Sequence, residues 1–223
     1  MAKPSETRDL AADSWTWPDQ RWQAIVNKVR AGRSLKPKQW PGKAKVAVSF
    51  SFDSDHESST LRWGESSPGK LSQGEYGSRV AVPRIKKLLA RHHIKASFFV
   101  PAVVAKIHPQ EQRELTDAGH EIGIHGWIHE LNSKLPEVAE RDLMMRAADT
   151  LEEISGQRPV GLRTPSWDFS PNTLAICREM GLLYDSSLMA DDEPYELLEE
   201  GEATGIVELP VEWIRDDAVY FNM

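Results

Sequence analysis

Val46-Ala-Val-Ser-Phe-Ser-Phe-Asp-Ser-Asp55 is the stretch whose reading decides the fold of this 223-residue chain. Its first seven residues are β-branched, aromatic or small, the composition of a strand buried on both faces, and the run breaks off at two carboxylates. The same pattern recurs downstream. Residues 95–100, 121–125, 160–163, 182–184 and 206–210 read as further strands, with helices over 80–93, 109–118, 136–155 and 171–180 between them. Gly119, Gly156 and Gly181 stand just past three of these helices as stops. Strand and helix alternate at intervals of roughly 25–35 residues, the βαβ signature of a parallel sheet or barrel. Residues 53–78 read as loop, being rich in Ser, Gly, Glu and Pro with little periodicity. Upstream, residues 1–44 are polar and rich in Pro and Trp and read as an N-terminal extension with one short amphipathic helix over 18–29; residues 45–223 form the α/β unit.

Composition narrows the function. Lys and Arg total 27 against 34 Asp and Glu, a formal charge of −7, which argues against a nucleic-acid partner. No apolar run approaches the ~20 residues of a membrane span, and the N-terminal residues lack a signal-peptide core, so the expectation is a cytoplasmic protein with no membrane partner. The single cysteine, Cys177, excludes an internal disulfide and any multi-cysteine metal site. Eight tryptophans are many for this length; sugar sites use such rings as platforms, though core packing is their commoner use.

The chemistry-bearing residues fall where the strands end. Asp53, His125, Arg163 and Asp185 each close a predicted strand, and in a parallel barrel those ends gather on one face. Asp53-Ser-Asp55 places two carboxylates on one loop, either as a capping pair or as a working pair, with His56 following at once. His125-Gly-Trp-Ile-His129 can bring two imidazoles to one metal if the segment turns helically, and Gly126 permits a sharp exit from the strand. With seven histidines in the chain this spacing alone is not decisive. His120, nearer its strand's start, reads as structural. In Arg163-Thr-Pro-Ser-Trp167 the arginine can grip a carboxylate through both oxygens while Trp167 offers a flat wall. Two histidines with one carboxylate make a metal set with open positions, and a second carboxylate can take a proton from water: metal-assisted hydrolysis of an amide or ester. No Gly-x-Ser-x-Gly elbow, dinucleotide fingerprint or phosphate loop occurs.

This ordered set resembles the polysaccharide deacetylases of carbohydrate esterase family 4, over about residues 40–217. Ser-Phe-Asp53-Ser-Asp55 is similar to the family's T-F-D-D-G with one residue inserted, as in the branch with peptidoglycan-deacetylase-like and cyclic-amide-hydrolysing enzymes. His125-Gly-Trp-Ile-His129 resembles H-(S/T)-x-x-H, Arg163-Thr-Pro-Ser-Trp167 matches R-x-P-x-(W/Y), and Asp185-Ser-Ser187 matches D-x-S. The resemblance implies an irregular parallel (β/α) barrel. It implies Asp53 as general base, Asp55, His125 and His129 as ligands of one divalent metal, Arg163 orienting Asp53, and Trp167 and Asp185 lining the substrate site. Zinc is the first expectation from this donor set; nickel, cobalt and manganese stay open. The substrate implied is an N-acetylated amino-sugar polymer, with a small cyclic amide, or a non-catalytic carbohydrate-binding module, as alternatives. The family's fifth motif, L-x-H-P, which supplies a catalytic acid, has no counterpart, because no histidine follows His129. The expectation is therefore a barrel lacking its C-terminal third, with the acid coming from His56 or from another chain, or with turnover impaired. An unclosed barrel exposes the edge of the strand at Val46, so a homo-oligomer covering that edge is expected.

Overall fold

A computed structural model describes residues 13–221; residues 1–12 and 222–223, with the charged N-terminal stretch, lie outside the described residues. Among the described residues eight strands form one sheet: β1 (Val29–Ser34), β2 (Ser51–Asp53), β3 (Ser97–Val100), β4 (Glu121–Ile124), β5 (Gly161–Leu162), β6 (Tyr184–Asp185), β7 (Tyr195–Glu199) and β8 (Glu202–Glu208). Their order is β1-β7-β8-β6-β5-β4-β3-β2. From β2 through β3, β4, β5 and β6 to β8 every pairing is parallel, whereas β7 joins β8, and β1 joins β7, antiparallel. The six parallel strands are the six expected from the apolar runs. Among the described residues the sheet stays open, with β1 and β2 as its edges.

Helices α1 (Asp19–Asn27), α2 (Ser58–Leu61), α3 (Pro68–Tyr76), α4 (Val82–Arg91), α5 (Ala102–Ile107), α6 (Pro109–Asp117), α7 (Glu137–Ser155), α8 (Thr173–Glu179) and α9 (Asp217–Phe221) accompany it, with a single π turn over Gly77–Ala81 leading into α4. On α7, Met144, Ala147, Ala148, Leu151 and Ser155 are buried, a spacing of three and four that turns one helical stripe to the core. That stripe belongs to a cluster with Phe98 and Val100 of β3, Ile122 and Ile124 of β4, Leu162 of β5 and Val104 of α5. Each buried Val, Leu, Ile, Phe or Met among them stabilises the fold by about 1.5–3 kcal/mol through burial. A smaller cluster, Leu174, Tyr195, Leu197 and Ile206, packs the β7–β8 hairpin onto α8.

Three expectations are corrected. The run at 46–52 is a strand only from Ser51, and Val46, Val48 and Phe50 are 70 %, 71 % and 45 % exposed. β3 begins at Ser97, opposite Ser51, so residues 46–50 overrun the partner that would hold them and leave its start with one bond, from the Ser97 N–H to the Phe50 carbonyl. Residues 53–78, read as loop, contain α2 and α3. Pro68 at the first turn of α3 was a usable start signal, but the helix carries no buried residue and hence no apolar stripe. β1 and β7, unforeseen, are held by the hairpin: Val29 pairs Glu199 and Ser34 pairs Tyr195, so residues read as an extension contribute a strand to the sheet.

Two groups of buried acids tie the elements together. Glu140 of α7, almost wholly buried, accepts from Asn132 Nδ2 at 3.0 Å, Ser170 Oγ at 2.6 Å and Thr173 Oγ1 at 2.5 Å. Asp185 and Glu208, register partners on β6 and β8, are both 0 % exposed. Asp185 accepts from the Ser187 N–H and hydroxyl, and Glu208 accepts from the Leu188 N–H. Burial pushes both carboxyls up, Glu208 to about 11 with Asp185 beside it adding to the shift. Cys177 of α8 is buried among the same acids; burial first, then Asp185, Glu140 and Glu208, raise its thiol well above the ordinary value.

Replacing Glu140 by Ala strands three buried donors and is expected to lower unfolding stability by about 3–5 kcal/mol, read by urea denaturation. The Asp185–Glu208 pair predicts a pH dependence of definite sign. The folded chain keeps a proton on Glu208 that the unfolded chain releases near the ordinary value of 4.5. That contribution is complete below 4.5 and declines as pH rises toward 11, at up to about 1.4 kcal/mol per pH unit. Glu208→Gln, neutral at every pH, should flatten the fall in stability between mildly acidic and alkaline urea titrations.

Candidate metal and catalytic site

The parallel strands deliver their polar ends to one place. Asp53 closes β2, Asp55 lies two residues on, His125 follows β4, and Arg163 follows β5. His125 Nε2 stands 3.3 Å from Asp55 Oδ1, and His129 Nε2 stands 3.2 Å from Asp55 Oδ2. The candidate ligand atoms of Asp55, His125 and His129 all lie within 4.8 Å of one another. Asp53 Oδ2 is 3.9 Å from His125 Nε2, outside hydrogen-bonding range but close in charge.

The two histidines converge without the helical turn expected. Residues 125–129 form a bent loop. Gly126 takes φ +72°, and a side chain there would strike Pro165 Cγ at 2.9 Å. The Glu130 carboxylate accepts from the N–H groups of Trp127 at 2.8 Å and Ile128 at 2.7 Å, closing the loop, and His129 itself is left-handed at φ +69°. The imidazole centroids are thereby brought to 4.9 Å, edge to face.

Arg163 holds Asp53 through one oxygen rather than two. Its Nη1 donates to Asp53 Oδ1 at 2.8 Å, Nη2 donates to Ser51 Oγ and Ser186 Oγ, and Nε donates to the Ser186 carbonyl. The expected two-oxygen grip is absent because those serines and that carbonyl take the other donors. Trp167 sits half-buried in the short turn Pro165–Trp167, where Ser166 and Trp167 are both left-handed.

Two expected residues lie elsewhere. Asp185 does not line the site: it is sealed under β6 and β8 with Glu208. His56 is turned away, its Nε2 donating to Glu111 Oε1 at 2.9 Å, so it does not face the cluster as an acid. His120, read as structural, is buried and accepts from the Ala96 N–H.

Arg62, just past α2, went unforeseen because its segment read as loop. Its Nη1 donates to His129 Nδ1 at 2.6 Å and reaches the His129 carbonyl and Ser166 Oγ at 3.2 and 3.3 Å, while its Cζ sits 4.6 Å over the Trp63 ring. Glu130 did carry a signal, a carboxylate three residues after the first N–H it accepts from.

The donor set fits a divalent cation. Asp55 Oδ1 is buried and has no hydrogen-bond partner. His125 Nδ1 donates to the Arg163 carbonyl at 2.7 Å, which places that proton away from the cluster and turns the Nε2 lone pair toward Asp55. Because a guanidinium cannot accept, Arg62 assigns the lone pair of neutral His129 to Nδ1, and the Nε2 proton must leave before that nitrogen can ligate. Burial alone would raise the Asp55 carboxyl, but the His125 and His129 imidazoles beside it hold it well below the usual range. Burial would likewise lower His125, and the Asp53 and Asp55 carboxylates overcome it and raise it. The cluster therefore gathers positive charge between two carboxylates, as a cation in the same place would supply it.

A family model described as polysaccharide deacetylase matches residues 74–184, a span that includes His125, His129 and Arg163 and begins after Asp55. A peptidoglycan deacetylase of Helicobacter pylori is 29 % identical over 197 residues, which are 78 % of this chain and 67 % of the relative. The crystal structure of a Mycobacterium smegmatis protein assigned as a polysaccharide deacetylase superposes with a TM-score of 0.77 at 40 % identity, covering 83 % of this chain and 65 % of that one. The crystal structure of PuuE allantoinase superposes at 0.68 with 31 % identity, covering 79 % and 65 %. The chain thus spans about two thirds of the length of these relatives. Among the described residues no helix is long and apolar enough to cross a membrane. With the expected parallel sheet in place and relatives matching over most of its length, this chain belongs to the polysaccharide deacetylase family.

Proposed function

We propose that this chain carries the site of a metal-dependent hydrolase of C–N amide bonds that removes N-acetyl groups from an amino-sugar polymer, peptidoglycan or a chitin-like glycan. One observation carries the reading: Asp55, His125 and His129 converge while a second carboxylate, Asp53, stands beside them in the hold of Arg163. A divalent cation on the trio, zinc first by donor type, would polarise an amide carbonyl and acidify a water. Asp53 is the general base. Arg163 and its serine partners fix the rotamer of Asp53 through Oδ1, leaving Oδ2 toward the cluster to take a proton from water. Half-buried Trp167 supplies an apolar wall for the sugar ring. The name of the Helicobacter pylori relative supports the polymer.

A second reading has its own support. The likeness to an allantoinase favours a small cyclic amide opened by the same carboxylate and the same metal set. Substrate size separates the two, because ring opening needs room for one small molecule and releases no acetate.

Asp53→Asn should lower acetate release from N-acetylated chitooligosaccharides or peptidoglycan fragments by about 10²–10⁴-fold while zinc stoichiometry stays unchanged. Asp55→Asn should lose both zinc and turnover. Equal zinc loss in the two variants would reverse the assignment of the pair, and ring opening of a cyclic ureide faster than any acetate release would select the second reading.

A further inference from the structure

Beside the metal cluster lies a second group of acids and histidines that the proposed chemistry does not use. His56 and Glu57 directly follow Asp55, and each is tied to a distant partner. His56 Nε2 donates to Glu111 Oε1 of α6 at 2.9 Å, with both side chains buried. Glu57 accepts from His108 Nε2, at the junction of α5 and α6, at 2.9 and 3.1 Å. The rings of His56 and His108 meet edge to face at 5.5 Å. Gln112 Nε2 donates to the same Glu111 oxygen at 3.2 Å, and Ser78 Oγ lies 3.2 Å from His108 Nδ1.

The backbone shows what these pairs resist. His56 is left-handed at φ +44°, a conformation that costs a non-glycine residue of order 1–3 kcal/mol. Side chains and backbone close around it. A Cβ on Gly74 would run into the carbonyl of His56, and one on Gly77 would run into its ring, so α3 and the π turn pack directly over this residue. Ser58 Oγ donates to the Asp55 carbonyl at 2.6 Å, and Ser54 N–H donates to the Phe99 carbonyl of β3 at 2.9 Å. Released from Glu111, residue 56 would relax toward an ordinary φ, swinging the Asp55–His56 peptide and with it the Asp55 carboxylate. That carboxylate has to sit 3.3 and 3.2 Å from two imidazoles at once.

We infer that the His56–Glu111 and Glu57–His108 pairs are positioning elements for the metal site: they lock the strained turn after Asp55 and thereby set that carboxylate for ligation. None of the four residues belongs to the motif set by which the chain was read, and the inference rests on Asp55 being a ligand. The pairs anchor the ligand loop to α6 on the flank of the sheet, independently of Arg163, which governs Asp53.

The test is zinc affinity of the full chain, measured without substrate by competition with a chromogenic chelator. Glu111→Ala should weaken zinc binding by about ten- to a hundred-fold, the usual effect of losing a residue that orients a ligand. Glu111→Gln keeps an oxygen acceptor for His56 Nε2 and should stay within about threefold of the parent. A purely structural role would lower urea stability in both variants without separating their zinc affinities. If Glu111→Ala does not fold, His56→Gly carries the test, since glycine accepts the left-handed φ but provides no anchor; it too should lose at least tenfold. Parent-like affinity in Glu111→Ala or His56→Gly, or an equal loss in Glu111→Gln and Glu111→Ala, overturns the proposal. A parent chain that takes up no zinc overturns the metal-site reading along with it, whereas zinc uptake without acetate release overturns only the deacetylase reading.

Discussion

Arg163 is the residue through which five strands exchange constraints, by its main chain and its guanidinium together. Its own N–H donates to the Ile124 carbonyl at the end of β4, and its carbonyl accepts from His125 Nδ1. Its side chain reaches Ser51 and Asp53 on β2 and Ser186 beyond β6, while Cζ lies 4.3 Å over the Phe99 ring of β3. A cation almost wholly buried must have every donor answered, since desolvation otherwise outweighs what its ion pair gains. These partners can do so only if the strand ends are level with one another. The hold on the Asp53 carboxylate, the tautomer of one candidate ligand and the alignment of the sheet therefore depend on one residue.

Buried acids elsewhere in the molecule are managed in different ways, and the difference separates structure from chemistry. Glu140 stays among neutral donors that match its oxygens. Asp185 and Glu208 share one small space and take up a proton. Asp55 is kept ionised against burial by two imidazoles, with one oxygen unanswered. A charged carboxylate whose oxygens converge with two imidazoles is why the cluster around Asp55 reads as a site while the more deeply buried pair at Asp185 reads as a fastening.

Much of this was legible along the chain. The six parallel strands announce themselves as apolar runs, and His125, His129, Arg163 and Asp53 stand at their ends, where topology gathers them. What the residues could not disclose depends on partners far away in sequence. Val46, Val48 and Phe50 have the composition of a buried strand, but burial requires a neighbour, and β3 starts too late to provide one. Strands β1 and β7 are charged, and they exist through pairing, β1 on β7 and β7 on β8, rather than through any apolar pattern of their own. Arg62 and the His56–Glu111 pair were hidden for the same reason: helices α2 and α3 are held by contacts on polar side chains and glycines, which leave no periodic trace.

Cys177 gives the core a chemical clock. The thiol is sealed in α8, where burial first and the neighbouring acids second keep it protonated, and alkylation requires both access and a thiolate. In the folded state a maleimide or iodoacetamide finds nothing to react with, so the rate at which Cys177 is consumed measures how often α8 lifts from the sheet. The same silence makes the native chain a clean background for a single cysteine introduced on an exposed helix face, since any dye placed there will be the only one the protein carries.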